Sequence, residues 1–277
     1  MTAGTAVLGA PRSSSLTSFF RVLFVGGIIV YRALFNWIRP AIYIPTMLGS
    51  PLFQILFFAN LGKYSGVGDT NFFVVGNAVQ VCSMSAIYGA TMTLANERYF
   101  GTLAQLLATP ANRAALFLGR TLPVIANGLL VSVFGFIVGA LFLDFSMPAS
   151  QIPALALVVT LTVVSCTGFG MMLGSIGIRA RDVFFASNLA YFLMLLMCGV
   201  NIPIDSLPGW MQAISKALPL THGIAAARLL ASGETLGSVA GLIRTELLIG
   251  ATYGFLAFAL FRYFEASSRK YASLDRF

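Results

Sequence analysis

Hydrophobic residues occupy long blocks of the chain, and short polar segments separate these blocks. A helix of about 20 apolar residues crosses the hydrocarbon core of a bilayer, and several blocks reach that length. The pattern predicts an all-α integral membrane protein that forms one transmembrane domain over residues 1–277. The six predicted membrane spans lie at about 41–61, 72–94, 119–143, 152–178, 183–202 and 241–263.

The residues before the first predicted span have a different pattern. Residues 1–15 are small and polar and are expected to be a disordered tail, whereas residues 16–39 have helical periodicity. At about 100° per residue, one arc of about 60° contains six polar side chains: Ser14, Ser18, Arg21, Arg32, Asn36 and Arg39. We therefore predict an amphipathic helix in the membrane interface. The alternative is a short extra span, which would place Arg21 and Arg32 at membrane depth.

Residues 203–240 contain two short helical patterns, neither of which is long enough to cross a bilayer. The first places Trp210 and Ile214 on one face and ends before Pro219. The second is expected to be capped by Thr221 and to stop at Gly233, because glycine terminates helices readily. This segment, called here the outer hairpin, is predicted to dip into the outer leaflet or to lie on it.

A polar segment at 97–110 separates the second and third spans and carries several helix signals. Thr102 and Gln105 have the spacing of a capping box. Thr109-Pro110 is typical of an N-cap followed by the first residue of a helix. An apolar stripe at helical spacing consists of Leu103, Leu106 and Leu107. We call residues 97–110 the coupling segment and predict a short amphipathic helix, a corner and a new helix.

The composition supports a location in lipid. Of the 277 residues, 58% are hydrophobic and 9% are charged, whereas a soluble protein has about 25% charged residues. The net charge of +8 is not interpreted as nucleic-acid binding, because the basic residues cluster at the ends of apolar runs. The outer segments of the predicted topology carry only Lys63, Lys216, Arg228 and Arg244. Positive charge favours the cytoplasmic side, so both termini are predicted to be cytoplasmic.

The sequence offers little for catalysis or metal binding. Cys82, Cys166 and Cys198 lie in apolar runs without metal-ligand spacing, and His222 is the single histidine. The chain has no phosphate-binding loop motif for ATP. Ionisable groups are almost absent from the spans, and Glu246 is expected at the outer end of the sixth span, within reach of interface water. Any transport energy is therefore expected to come from another subunit.

Polar residues share one face on each of two spans. The second-span face carries Gln80, Met84, Tyr88 and Thr91, and the fifth-span face carries Asn188, Tyr191 and Leu195. These faces indicate either a substrate pathway or interhelical hydrogen bonding, and the sequence leaves both open. The pairs Gly135/Gly139 and Gly170/Gly174 predict close helix packing, with a dimer seam as the alternative.

The coupling segment resembles a cytoplasmic loop in permease subunits of type-2 ABC exporters, the family of daunorubicin-resistance, nodulation-factor and polysaccharide-export permeases. The matching residues are Glu97, Arg98, Gly101, Thr102, Leu103, Gln105, Leu106, Leu107, Thr109 and Pro110. Ala104 departs from the pattern, which usually has an acidic residue there. The outer hairpin is similar to the re-entrant region of the same family, through Pro203, Leu207, Pro208, Trp210 and Pro219.

This resemblance implies a permease that moves a hydrophobic or amphipathic substrate, such as a drug, lipid or lipid-linked glycan, across the cytoplasmic membrane. It implies two copies of a separate ATPase subunit, which hold ATP and magnesium, and a second permease chain in a homodimer. No cofactor or metal is expected on this chain. One alternative is a membrane-embedded lipid-modifying enzyme using Asp144, Asp205 and His222. Another is a scaffold or sensor subunit that does not transport.

Overall fold

The computed structural model describes residues 15–35, 44–66, 69–99, 112–177 and 182–271. These residues form an all-helical bundle, as predicted, and no strand occurs among them. The helices are α1 (Ser15–Phe35), α2 (Ser50–Ser65), α3 (Thr70–Tyr99), α4 (Arg113–Phe142), α5 (Ile152–Gly177), α6 (Val183–Met197), α7 (Gly209–Ala217), α8 (Thr221–Ala231) and α9 (Ala240–Tyr271).

Four helices of the described part are long and apolar enough to cross a membrane: Thr70–Thr93, Ala114–Phe142, Ala149–Gly177 and Ala240–Phe264. They coincide with the predicted second, third, fourth and sixth spans. The fifth span corresponds to the shorter apolar helix α6, which ends at Met197 and is followed by a turn. The count of six spans remains a prediction.

The predicted first span is divided at its prolines. A π-helical turn at Ile44–Gly49 precedes α2, and Pro51 lies in the first turn of α2. Proline is tolerated there because the missing N–H would have no partner within the helix. α2 continues to Ser65, beyond the predicted end of the first span at 61.

Helix α3 lies at the centre of the bundle, and α9 lies at its edge. In the apolar window of α3, 78% of the residues are buried, compared with 11% in the window of α9. Gly135 of α4 lies against Ala78 of α3, where a Cβ atom would be only 3.1 Å from the Ala78 Cα. A Cβ on Gly170 of α5 would be 2.8 Å from the carbonyl oxygen of Ala86. The predicted close packing at these two glycines is therefore confirmed within one chain.

Helix α1 packs against α4 through two glycines. A Cβ on Gly119 would lie 2.9 Å from the Leu23 carbonyl oxygen, and one on Gly27 would lie 3.1 Å from the Gly119 carbonyl oxygen. Arg21 and Arg32 are exposed. The location of α1 in the membrane interface remains a prediction.

The helices on either side of the coupling segment extend beyond the predicted spans. α3 continues through Tyr99 and α4 begins at Arg113, whereas the predicted spans end at 94 and begin at 119. Thr109 and Pro110, the predicted N-cap and first residue of a new helix, lie outside the described residues, so that assignment stays a prediction. Asn112 has an extended backbone, and its side chain accepts hydrogen bonds from the backbone N–H groups of Ala114 and Ala115.

Candidate functional site

The coupling segment connects two neighbouring helices of the bundle. Glu97 and Arg98 lie in the last turn of α3, and α4 begins at Arg113. The described residues on either side of the segment therefore belong to two helices that pack against each other. The other predicted coupling residues lie outside the described part of the chain: Gly101, Thr102, Leu103, Gln105, Leu106, Leu107, Thr109 and Pro110.

Three of the predicted pathway residues meet between α3 and α6. The Tyr88 hydroxyl donates to Oδ1 of Asn188 at 2.6 Å. The ring centroids of Tyr88 and Tyr191 are 6.2 Å apart. The polar faces predicted on the second and fifth spans therefore face each other.

The same contacts extend to α2 and to the turn after α6. Tyr191 donates through its hydroxyl to Oε1 of Gln54 at 2.7 Å, and Nε2 of Gln54 donates to Oδ1 of Asn77 at 3.1 Å. Asn77 in turn donates through Nδ2 to Oδ1 of Asn201 at 2.7 Å. The sequence analysis missed Gln54, Asn77 and Asn201. Each could have been identified in the sequence as an isolated amide side chain within an apolar run. Such a side chain is energetically costly in lipid unless it forms hydrogen bonds.

Gln80 differs from the other amides of this region. Its side chain is fully buried beside Tyr191, and neither amide atom meets the geometry of a hydrogen bond with a described residue. A buried unpaired polar group costs about 1–3 kcal/mol, so native proteins rarely leave one without a purpose. We call the following set the polar cluster: Gln54, Asn77, Gln80, Tyr88, Asn188, Tyr191 and Asn201.

Two other predicted pathway residues, Met84 and Thr91, are not part of the polar cluster. Met84 is half-buried. Thr91 is fully buried and donates through its hydroxyl to the Gly170 carbonyl oxygen at 3.1 Å. This bond joins α3 to α5. It fits the alternative interpretation of the polar faces, in which their residues form hydrogen bonds between helices.

One side of the polar cluster is bordered by exposed apolar side chains. The ring of Phe184 lies 5.7 Å from that of Tyr88, and Phe184 is itself exposed. The other exposed apolar residues of α6 are Phe185, Leu189, Phe192, Leu193 and Leu196. Hydrogen-bonding groups thus lie beside an apolar surface, an arrangement that suits amphipathic molecules.

The outer hairpin consists of a 3₁₀ turn at Ile204–Ser206 followed by α7 and α8. Leu207 and Pro219 are buried, whereas Trp210 is 65% exposed. Pro203 and Pro208 are exposed. Pro203 immediately precedes the 3₁₀ turn, and Pro208 immediately precedes α7. The predicted division into two short helical pieces is present in the structure.

Glu246 of α9 binds the beginning of α8. Its carboxylate accepts hydrogen bonds from the backbone N–H of Leu220 at 2.9 Å and from that of Gly223 at 3.2 Å. The side chain is 2% exposed, so the expectation that interface water reaches it was wrong. A carboxylate is favourable at this position because it satisfies unpaired donors at the positive end of the helix dipole.

The predicted cap of α8 was also wrong. Thr221 donates through its hydroxyl to the Ser215 carbonyl oxygen at 2.7 Å instead of accepting from the helix. Local spacing suggested Thr221, but the cap comes from Glu246, which lies on a different helix. After the C-terminal end of α8, Gly233 has a φ of +98°. Glycine adopts this left-handed conformation where it ends a helix, as predicted for Gly233.

Arg228 holds the C-terminal part of α8. Its guanidinium donates to the carbonyl oxygens of Gly199 at 2.7 Å, Val200 at 2.8 Å and Phe72 at 3.0 Å, and it lies 3.5 Å from the centroid of the Phe72 ring. Burial lowers the pKa of this guanidinium to about 9, which leaves it charged at neutral pH. Glu246 and Arg228 thus hold the two ends of α8.

The described residues contain no group of three or more His, Cys, Asp or Glu residues placed to bind a metal ion. Cys82, Cys166 and Cys198 are free and buried, as expected of small apolar residues. A ring nitrogen of His222 lies 3.2 Å from the Lys216 carbonyl oxygen.

Comparison with known proteins identifies relatives of this chain. Residues 26–230 match the family model described as ABC-2 type transporter. The chain is 27% identical over 202 residues to the probable multidrug ABC transporter permease YbhR of Escherichia coli, an alignment that covers 70% of this chain and 53% of that protein. This chain therefore spans about half the length of that relative.

Two further relatives are matched over most of their length. The putative transport permease ycf38 of Cyanophora paradoxa is 28% identical over 242 residues, which cover 81% of this chain and 80% of that protein. The probable doxorubicin resistance ABC transporter permease protein DrrC of Mycobacterium tuberculosis is 25% identical over 226 residues, with 76% and 79% covered. The family match covers the polar cluster, the coupling segment and nearly all of α8, and this chain belongs to the ABC-2 type transporter family.

Proposed function

We propose that this chain is the permease subunit of an ATP-driven exporter in the cytoplasmic membrane. The observation that carries this proposal is the family match over residues 26–230, which includes both segments singled out by resemblance. Relatives named as multidrug and doxorubicin-resistance permeases support a hydrophobic or amphipathic substrate. The polar cluster beside the apolar surface of α6 supports the same class.

In this proposal the energy comes from a separate ATPase subunit, present in two copies, which binds ATP and magnesium. The coupling segment docks on that subunit: the leucine stripe fills its groove, Glu97 and Arg98 pair with charges at the rim, and Thr102 and Gln105 cap the helix. The segment joins α3 directly to α4. A displacement caused by ATP therefore reaches α3, which carries much of the polar cluster, through continuous helix.

The proposed pathway uses the facing sides of α3 and α6 in each of two permease chains. Tyr88, Asn188 and Tyr191 offer hydroxyl and amide groups to the polar part of a substrate, and Gln80 offers an amide that meets the geometry of a hydrogen bond with no described residue. Separation of α3 from α6 would break the Tyr88–Asn188 bond and free both groups. The outer hairpin, fixed through Glu246 and Arg228, shapes the exit.

Copurification from native membranes tests the ATPase coupling. The tagged chain is isolated in mild detergent, and its partners are identified and quantified. We expect a stoichiometric ATPase subunit, which is lost when Leu103 and Leu107 are changed to aspartate, because charged side chains do not fill an apolar groove. The matched control changes the exposed residues Leu141 and Phe142, at the opposite end of α4, to aspartate.

Folding of each variant is checked by its elution as a single species in size-exclusion chromatography. A folded wild-type chain that purifies without any ATPase at every detergent concentration would contradict the proposal. That outcome would favour the scaffold subunit or the lipid-modifying enzyme.

A further inference from the structure

An apolar groove with a volume of about 260 Å³ lies between α4, α5 and α9. Its lining includes Leu118 of α4, Gly168 and Met171 of α5, and Gly254 and Phe258 of α9. Met171 is fully buried, whereas Leu118 is 47% exposed. The groove therefore opens from the packed interior of the bundle toward the membrane.

The glycines of the groove have different roles. A Cβ on Gly250 would lie 2.8 Å from the Ser165 Cα, and one on Gly168 would lie 3.0 Å from the Gly250 carbonyl oxygen. These two glycines allow α5 and α9 to approach closely. A Cβ on Gly254 would meet nothing within 4 Å. Because glycine weakens a helix by about 0.5–1 kcal/mol relative to alanine, Gly254 needs another reason, and the space that it leaves in the groove supplies one.

The size and lining of the groove indicate what fits it. Pockets for drug-sized ligands have volumes of about 300–1,000 Å³, which exceed this one, and a helix from a second chain is about 10 Å wide. A single flexible hydrocarbon chain is narrow enough. The exposed rim residues Leu118 and Val164 are apolar, so a lipid tail can enter from the side.

A positively charged residue near the groove, Arg262, indicates which lipid headgroup would bind there. Arg262 follows Phe258 by one helical turn on α9, so the two side chains are neighbours on the helix surface. Arg262 is exposed and lies at the C-terminal end of the apolar window Ala240–Phe264. An arginine at this depth is placed to meet a lipid phosphate, which guanidinium groups bind well.

We propose that the groove holds one acyl chain of an anionic phospholipid whose phosphate binds Arg262. The lipid belongs to the leaflet at the C-terminal end of α9, and naming this leaflet cytoplasmic rests on the orientation in the proposed function. A lipid wedged between α4 and α9 would brace the helix that leaves the coupling segment.

Native mass spectrometry of the full chain tests this proposal. The protein is purified in mild detergent without an ATPase, and the bound lipids are counted after addition of phosphatidylglycerol or phosphatidylcholine. We expect Gly254→Leu to weaken phosphatidylglycerol retention about tenfold, since it displaces roughly two methylenes of the acyl chain. Gly241→Leu is the matched control, because Gly241 lies on the same helix and also faces open space.

The Arg262→Gln variant separates the headgroup from the acyl chain. We expect it to bind both lipids equally, whereas the wild type prefers phosphatidylglycerol.

Equal lipid retention by Gly254→Leu and Gly241→Leu would overturn the proposal. A changed oligomeric state of the Gly254→Leu variant with an unchanged number of bound lipids would also overturn the proposal. That result would indicate that the groove binds a second copy of the chain instead of a lipid. The lipid count needs neither ATPase nor substrate, so its failure is distinguishable from failure of the proposed function.

Discussion

At the scale of single residues, Glu246 and Arg228 show how two ionisable side chains of this bundle pair with backbone groups. Glu246 accepts from two backbone N–H groups at the start of α8, and Arg228 donates to carbonyl oxygens of Gly199, Val200 and Phe72. Both side chains thus bind backbone groups of the helices and turns around them. The outer hairpin is therefore held to α9 and α3 by polar contacts as well as by apolar packing.

Replacement of Glu246 is expected to destabilise the outer hairpin. Glu246→Ala leaves the N–H groups of Leu220 and Gly223 without acceptors, at a cost of about 1–3 kcal/mol for each buried group. Glu246→Gln keeps one carbonyl oxygen and should lose less stability. Thermal unfolding in detergent, followed by tryptophan fluorescence, measures the difference. Glu234→Ala removes an exposed carboxylate and should unfold like the wild type; equal losses in the Glu246→Ala and Glu234→Ala variants would contradict the role of Glu246.

At the scale of helices, glycines determine how closely neighbours approach α3. Gly135 of α4 and Gly170 of α5 both lie against the α3 backbone or its Cβ atoms. Thr91 adds a hydrogen bond from α3 to the Gly170 carbonyl oxygen. Small residues provide this contact in membranes because lipid gives helices no hydrophobic reason to associate.

A larger residue at Gly170 is expected to separate α5 from α3. The Cβ of Gly170→Val would lie 2.8 Å from the Ala86 carbonyl oxygen and 2.9 Å from the Ile87 Cα, and neither backbone atom can move without the helix. We expect a large loss of monodisperse protein in fluorescence-detected size-exclusion chromatography. The control Gly241→Val adds the same side chain where nothing lies within 4 Å. A normal elution profile for Gly170→Val would show that the two helices tolerate a wider spacing.

At the scale of the whole molecule, the orientation in the membrane is the property from which the proposed coupling follows. The distribution of positive charge predicts that both termini lie in the cytoplasm, and α9 would then run from the outer hairpin inward. Arg244 and Arg262 are both exposed on α9 and lie 18 residues apart, about 27 Å along a helix. This distance is close to the thickness of the hydrocarbon core, about 30 Å.

Cysteine labelling of intact cells tests this orientation. A membrane-impermeant maleimide should label Arg244→Cys directly and should label Arg262→Cys only after the membrane is permeabilised. The wild-type chain serves as the control, because its cysteines are buried and should not react. The reverse labelling pattern would invert the topology and place the coupling segment on the outer side.

The amino-acid sequence alone determined the protein class, the approximate positions of the long helices and the division of the outer hairpin. These features depend on local patterns: apolar runs of membrane-spanning length, prolines that interrupt helices and a glycine that ends α8. Composition and the coupling segment also identified the family, which the match over residues 26–230 confirmed. Local patterns did not identify Asn112, which caps α4.

Only the tertiary structure decided which helix faces meet. Gln54, Asn77 and Asn201 come from segments distant along the chain, and their hydrogen bonds exist because α2, α3 and the turn after α6 pack together. Glu246 appeared water-accessible from its position in the sequence but is buried by α8. Gly170 and Gly254 are the same residue type, yet one touches backbone and the other faces open space. A sequence pattern gives the face on which a residue lies, whereas its neighbour across that face depends on long-range packing.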